Sequence, residues 1–223
     1  MNDAQDKNVT SDAQSDDVLK EAVLKAAFKD AAFDGFTENV LAKAGKEAGA
    51  DQTALARLFP EGPLSLIEYF STSIDEAMEK KLAATDLSTR KIRERIKIAV
   101  MTRLWLLEPH KEAARRAAAT LTLPMHAALG AKLLYHTVDA MWRVTGDTST
   151  DFNFYTKRAI LAGVYGSVLV RWFSDMGEDD SATEAFLDAR IGNVMQFEKF
   201  KAKAKQAFSN FPAFAAWTKP PSK

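Results

Sequence analysis

Cysteine is absent from all 223 residues, and histidine occurs only at His110, His126 and His136. The first absence excludes thiol catalysis, thiolate metal ligation and a disulfide framework. The second leaves almost no raw material for an imidazole metal site. Net charge is missing as well, since 30 Lys and Arg balance 30 Asp and Glu. No global positive field is available to hold a polyanion. Long apolar runs are also lacking. The longest, AILAGVYGSVLV over Ala159–Val170, has twelve residues, where a spanning helix needs about 20, and it reads as a buried helix. There is no Gly-rich phosphate loop, serine elbow, histidine–carboxylate metal helix or flavin fingerprint. The acid pairs Asp16-Asp17 and Asp179-Asp180 fall in expected loops. The chain is therefore expected to have no catalytic residues, no metal and no cofactor, and not to be an enzyme.

What is present is helix. Hydrophobic residues make up 47%, enough for a sizeable core. Pro and Gly fall between periodic segments, and no stretch alternates with period two. Helices are expected over about 18–32, 37–48, 51–59, 63–82, 88–107, 110–121, 126–145, 151–175, 181–198 and 199–210. Residues 1–17 carry five Asp against one Lys. They match neither a secretory nor a mitochondrial targeting segment and read as a disordered acidic tail. The expected divisions are this tail, a helix-turn-helix-like domain over 18–82, a helical ligand-binding domain over 83–198, and an amphipathic helix and tail over 199–223.

The first block alternates a long helix, a short one, the Gly49-Ala50-Asp51 turn and another short helix ending Leu58-Phe59-Pro60. That order describes a helix-turn-helix unit of the TetR type. Its third helix, DQTALARLF, opens with an acid and offers one cation, Arg57. Groove reading needs Arg or Lys for phosphates and Arg, Asn or Gln for base edges. Gln52 and Arg57 are too few, and no sequence-specific DNA binding is expected.

The helix over 126–145 has one narrow polar stripe, Lys132, His136, Asp139 and Arg143, with His136 read as a surface partner of Asp139. The rest of its girth is apolar, which means either burial on several sides or a cavity wall. The expected wall is Leu129, Leu133, Met141 and Trp142 from this helix and Leu161, Val164 and Tyr165 from the next. In that next helix Ala159, Ala162, Gly163 and Gly166 share a sector that lets a neighbouring backbone come close, in the same chain or across a dimer. Phe152, Phe154 and Tyr155 point in different directions beside Lys157 and Arg158, so at least one should face solvent, as interface aromatics do.

Near the C-terminus Phe197, Phe200, Ala204, Ala207, Phe208 and Phe211 fall within one sector at helical spacing. Lys199 and Lys203 flank it on one side, and Lys201 and Lys205 on the other. Pro212 then breaks the helix. Aromatics on a narrow face with lysines at both edges suit a helix lying in a membrane interface; a terminal helix docked on its own core is the alternative.

The string TVDAMWRVTGDTSTDFNFYTKRAILAGVY over 137–165, followed by FLDARIGNVMQF, resembles the ubiquinone (coenzyme Q) biosynthesis accessory lipid-binding family, the ninth of the Coq series, in an alphaproteobacterial type. The similarity extends more weakly from about residue 20 to 200 and includes LTLP at 121–124. The resemblance implies an all-α TetR-like fold, a homodimer, and no nucleic-acid partner. It implies a non-catalytic protein, cytoplasmic and peripheral on the inner membrane, that binds isoprenoid lipid or quinone. Such a protein presents intermediates to a di-iron demethoxyubiquinone hydroxylase. The family's partner-binding patch falls on Asp139, Met141, Phe154, Tyr155 and Arg158. Phe154 stands where many members carry Trp, and Lys157 where many carry Arg. The competing class is a TetR-type transcriptional regulator with an apolar small-molecule ligand.

Overall fold

Val23, Leu24, Ala27 and Ala31 recur at helical spacing, and all four are buried as the stripe of a first helix, α1 (Asp3–Asp34). The computed structural model describes residues 3–148, 152–177 and 179–209, with side chains over 15–148, 154–177 and 179–196. Among the described residues every regular element is helical: α2 (Glu38–Ala48), α3 (Gln52–Leu58), α4 (Pro63–Ala83), α5 (Ile92–Leu107), α6 (Lys111–Leu121), α7 (Ala127–Val144), α8 (Phe152–Phe173) and α9 (Ser181–Ser209), with short 3-10 turns at Glu108–His110 and Pro124–His126. The fold is all-α, in the element order expected of a TetR-like chain. Two compact units divide at 165/166, inside α8. Residue 82, where a division is expected, lies at the end of α4, and α4 packs on α5.

The helix ends follow local chemistry. Gly35 closes α1 at φ +74, with its N–H on the Ala31 carbonyl at 3.1 Å. Thr37 caps α2 by accepting from the Val40 N–H at 3.3 Å, and Asp51 caps α3 by accepting from Ala54 at 2.7 Å. The helix-turn-helix is tight because Gly45 lacks a side chain: a Cβ there would lie 2.4 Å from Leu55 Cδ1. Phe28 of α1 and Phe70 of α4 meet edge-to-face at 5.0 Å, and the His110 ring stacks on Phe28 at 3.6 Å. These rings join α1, α4 and the turn leading into α6.

Three expectations change. α1 begins at Asp3, so helix runs through the stretch expected as a disordered tail. That stretch contains no Pro or Gly, and acids near a helix N-terminus favour the macrodipole. α5 begins at Ile92 rather than 88. Arg95 holds the Ser88 and Arg90 carbonyls at 2.8 and 2.9 Å, which fixes the preceding residues as a turn. The two helices expected over 181–198 and 199–210 are one, α9, because nothing near residue 198 breaks a helix and the stop, Pro212, comes later.

Candidate functional site

α7 is held in the first unit by its register against α4. Lys132 pairs with Glu68 at 2.6 Å, the Thr137 hydroxyl donates to Asp75 at 2.9 Å, and Arg143 pairs with Glu79. Residue numbers rise together along both helices, so α4 and α7 run parallel. Two members of the polar stripe, Lys132 and Arg143, are thus outer rungs to α4, with Thr137, which lies outside the stripe, as the middle one. That middle rung leads into a buried cluster that periodicity alone does not reveal. Arg103 of α5 donates to Asp75 at 2.6 Å, to the Tyr165 hydroxyl of α8 and to Ser71 of α4 at 3.1 Å. Arg103, Asp75, Thr137 and Tyr165 are all buried. Burial opposes the Arg103 charge, yet Tyr165 and Asp75 outweigh it and hold the guanidinium protonated above its ordinary range. Burial pushes the Tyr165 phenol up, keeping it a neutral hydroxyl. The available signal was an arginine inside the apolar run VMTRLWLL and an aspartate on the apolar face of α4.

Arg158 is the second hub. It donates to Asp139 of α7 at 2.6 Å, to Asp147 of the α7–α8 connection at 3.3 Å and to the Phe154 carbonyl at 3.1 Å. Its guanidinium lies 3.4 Å from the centre of the Phe154 ring. Lys157 pairs with Asp147 at 2.8 Å, and the Trp142 indole N–H donates to the Lys157 carbonyl at 3.2 Å. Asp139 also accepts from Arg143 at 2.6 Å. With two guanidiniums on its carboxylate, Asp139 does not pair with His136, whose ring instead lies edge-on to Tyr135 at 6.2 Å.

The patch residues expected from the family resemblance therefore sit at different depths. Tyr155 is 68% exposed and packs edge-to-face on Phe154 at 5.1 Å. Phe154 and Asp139 are half-buried. Arg158 is only 4% exposed and Met141 is 0% exposed, so Arg158 braces the surface from beneath. Met141 faces the interior, because it lies two residues past Asp139 on a helix whose outer face Asp139 and Arg143 occupy. Of the expected lipid-wall residues, Leu133, Met141, Leu161, Val164 and Tyr165 are buried, while Leu129 and Trp142 are half-buried. The side chains of Phe197, Phe200, Phe208, Phe211, Lys199, Lys201, Lys203 and Lys205 lie outside the described residues. On α3, Arg57 donates to both carboxylate oxygens of Asp16, one at 2.8 Å.

The COQ9 family model matches residues 127–198, the segment that holds α7, α8 and the Arg158 hub. The chain carries a COQ9-family domain. Curated COQ9 relatives match well beyond it. The rat protein named "Ubiquinone biosynthesis protein COQ9, mitochondrial" (Rattus norvegicus) is 33% identical over 191 residues, covering 82% of this chain and 61% of its own length. The Homo sapiens protein of that name is 32% identical over 82% of this chain and 60% of its own. The Dictyostelium discoideum "Probable ubiquinone biosynthesis protein coq9, mitochondrial" is 28% identical over 82% of this chain and 62% of its own. This chain thus spans about three fifths of those COQ9 relatives. Among the described residues no helix is long and apolar enough to cross a membrane.

Proposed function

We propose that this chain serves ubiquinone biosynthesis as a non-catalytic, lipid-binding accessory protein. On this reading it docks on the inner membrane from the cytoplasmic side and presents isoprenoid intermediates to a di-iron demethoxyubiquinone hydroxylase. The observation that carries the reading is Tyr155, an exposed aromatic on the ion-paired Arg158 hub within the COQ9-matched segment. An aromatic anchored over a braced, charge-paired base suits a partner interface, because little ordering remains to be done on binding. The open sector of α8 supports a homodimer: among the described residues nothing lies within 4 Å of a Cβ built at Gly163 or Gly166. The regulator alternative is disfavoured because the single cation of α3 is taken up by Asp16. The test is titration of the full chain with the hydroxylase. Tyr155→Ala should weaken binding by about 2 kcal/mol or more, with an unchanged melting temperature. Unchanged affinity with a lowered melting temperature would defeat the assignment.

A further inference from the structure

A second surface lies at the corner between α6 and α7. Leu123 N–H reaches the Thr120 carbonyl at 3.2 Å, and His126 N–H reaches that of Leu123 at 2.9 Å, so two consecutive turns carry the chain round. Gly130 makes the corner possible. A Cβ there would lie 2.9 Å from the Leu121 carbonyl oxygen, so only glycine lets α7 come this close to the end of α6. The corner is thus hydrogen-bonded and closely packed, yet its side chains point outward: Leu123 is 47% exposed and Met125 79%. On the adjoining face of α7, Ala128, Ala131 and Tyr135 are exposed too.

The stretch of chain that forms this corner carries cations and no acid of its own. No Asp or Glu occurs over 113–138, 26 residues between Glu112 and Asp139, in a chain with 30 acids in 223. The same span carries Arg115, Arg116 and Lys132. Arg116 is exposed, and the Glu112 carboxylate feels its charge as well as that of Arg115. Acids from outside the span reach its cations: Glu112 pairs with Arg115, and Glu68 of α4 pairs with Lys132, which also feels the charge of Glu61. Exposed leucine and methionine at a corner whose own stretch of chain carries Arg115, Arg116 and Lys132 and no acid match the two layers of an anionic bilayer surface: acyl chain for the apolar side chains and phosphate for the exposed Arg116. We propose that the α6–α7 corner inserts into the headgroup–acyl boundary of an anionic phospholipid membrane, as a contact separate from the C-terminal amphipathic segment. This rests on the peripheral-membrane part of the proposed function and not on the Tyr155 patch.

The absence of cysteine makes the test clean, because Met125→Cys carries an environment-sensitive fluorophore at one defined site in the full chain. Vesicles of phosphatidylglycerol and phosphatidylcholine should shift its emission to the blue. Vesicles of phosphatidylcholine alone should have little effect, and a label at Thr89→Cys, in the exposed turn between α4 and α5, should stay silent. In the full chain, Leu123→Asp with Met125→Asp should lower the partition onto the anionic vesicles about tenfold or more, with an unchanged helical signal and denaturation midpoint. A silent Met125 label on protein that floats with the vesicles overturns the proposal and leaves docking to the C-terminal segment. A blue shift that grows with protein concentration without lipid also overturns it, showing that a second copy covers the corner. Failure of the full chain to bind any anionic vesicle sinks both this inference and the membrane part of the proposed function, and leaves the Tyr155 reading standing.

Discussion

Arg103 and Arg158 show how differently a buried cation can act. Arg103 sits where α4, α5, α7 and α8 converge, and its donors are spent on Asp75, Tyr165 and Ser71. Arg103→Met would leave Asp75 buried with only the Thr137 hydroxyl, and removing one partner of a buried pair costs about 3–5 kcal/mol. Tyr165→Phe, which deletes one acceptor, should cost about 0.5–1.5 kcal/mol. Urea denaturation of the two variants should show that order, and equal losses would count against the convergence. His110 adds a pH dependence. Burial against Phe28 and Phe70 holds its imidazole below the ordinary value, so the native state takes up its proton less readily than the unfolded chain. Stability is then full above about pH 6.5, declines as pH falls through that value and levels off below the lowered native pKa. Denaturation midpoints at pH 7.5 and 5.5 should differ more for the wild type than for His110→Gln. A variant with the same pH response would remove His110 as the cause.

At the scale of elements, apolar periodicity located the helices but not always their ends. α9 continues through residue 198 because local sequence supplies no stop there, and the apparent boundary was a change in side-chain pattern rather than in backbone. The continuous helix carries the Phe and Lys positions of 197–209 as one rod. Lysines bordering a phenylalanine face suit an interfacial helix. Phe200→Asp with Phe208→Asp should therefore strip much of the anionic-vesicle binding, and the remaining binding should weaken with salt. Undiminished flotation of this variant would show that the helix is not the main anchor. A loss of folded structure would show that the phenylalanines close the protein's own core.

Across the whole molecule, the buried wall of α7 and α8 either packs as ordinary core or opens around a lipid, and ligand content separates the two. Native mass spectrometry of the full chain should find an isoprenoid quinone or phospholipid adduct that Leu133→Trp removes while the helical signal persists. If the interior is solid core, overpacking should instead cost about 1–3 kcal/mol, with no adduct in either protein. The same measurement gives the mass of the assembly and tests the homodimer.

The sequence by itself determined the all-helical class, the outward-facing aromatic near Arg158 and the family to which residues 127–198 are similar. Each is set by local spacing or by a contiguous string. Only the tertiary structure decided that Asp75, Arg103 and Thr137 form one cluster. Asp75 and Thr137 are separated by 62 positions, and periodicity says which face a residue occupies, not which distant residue meets it. It also decided that Met141 turns inward, that Arg158 braces the patch from below, and that Asp139 serves two arginines rather than His136. A helix fixes the angles among its own side chains, while the register against its neighbours fixes which of those angles are covered.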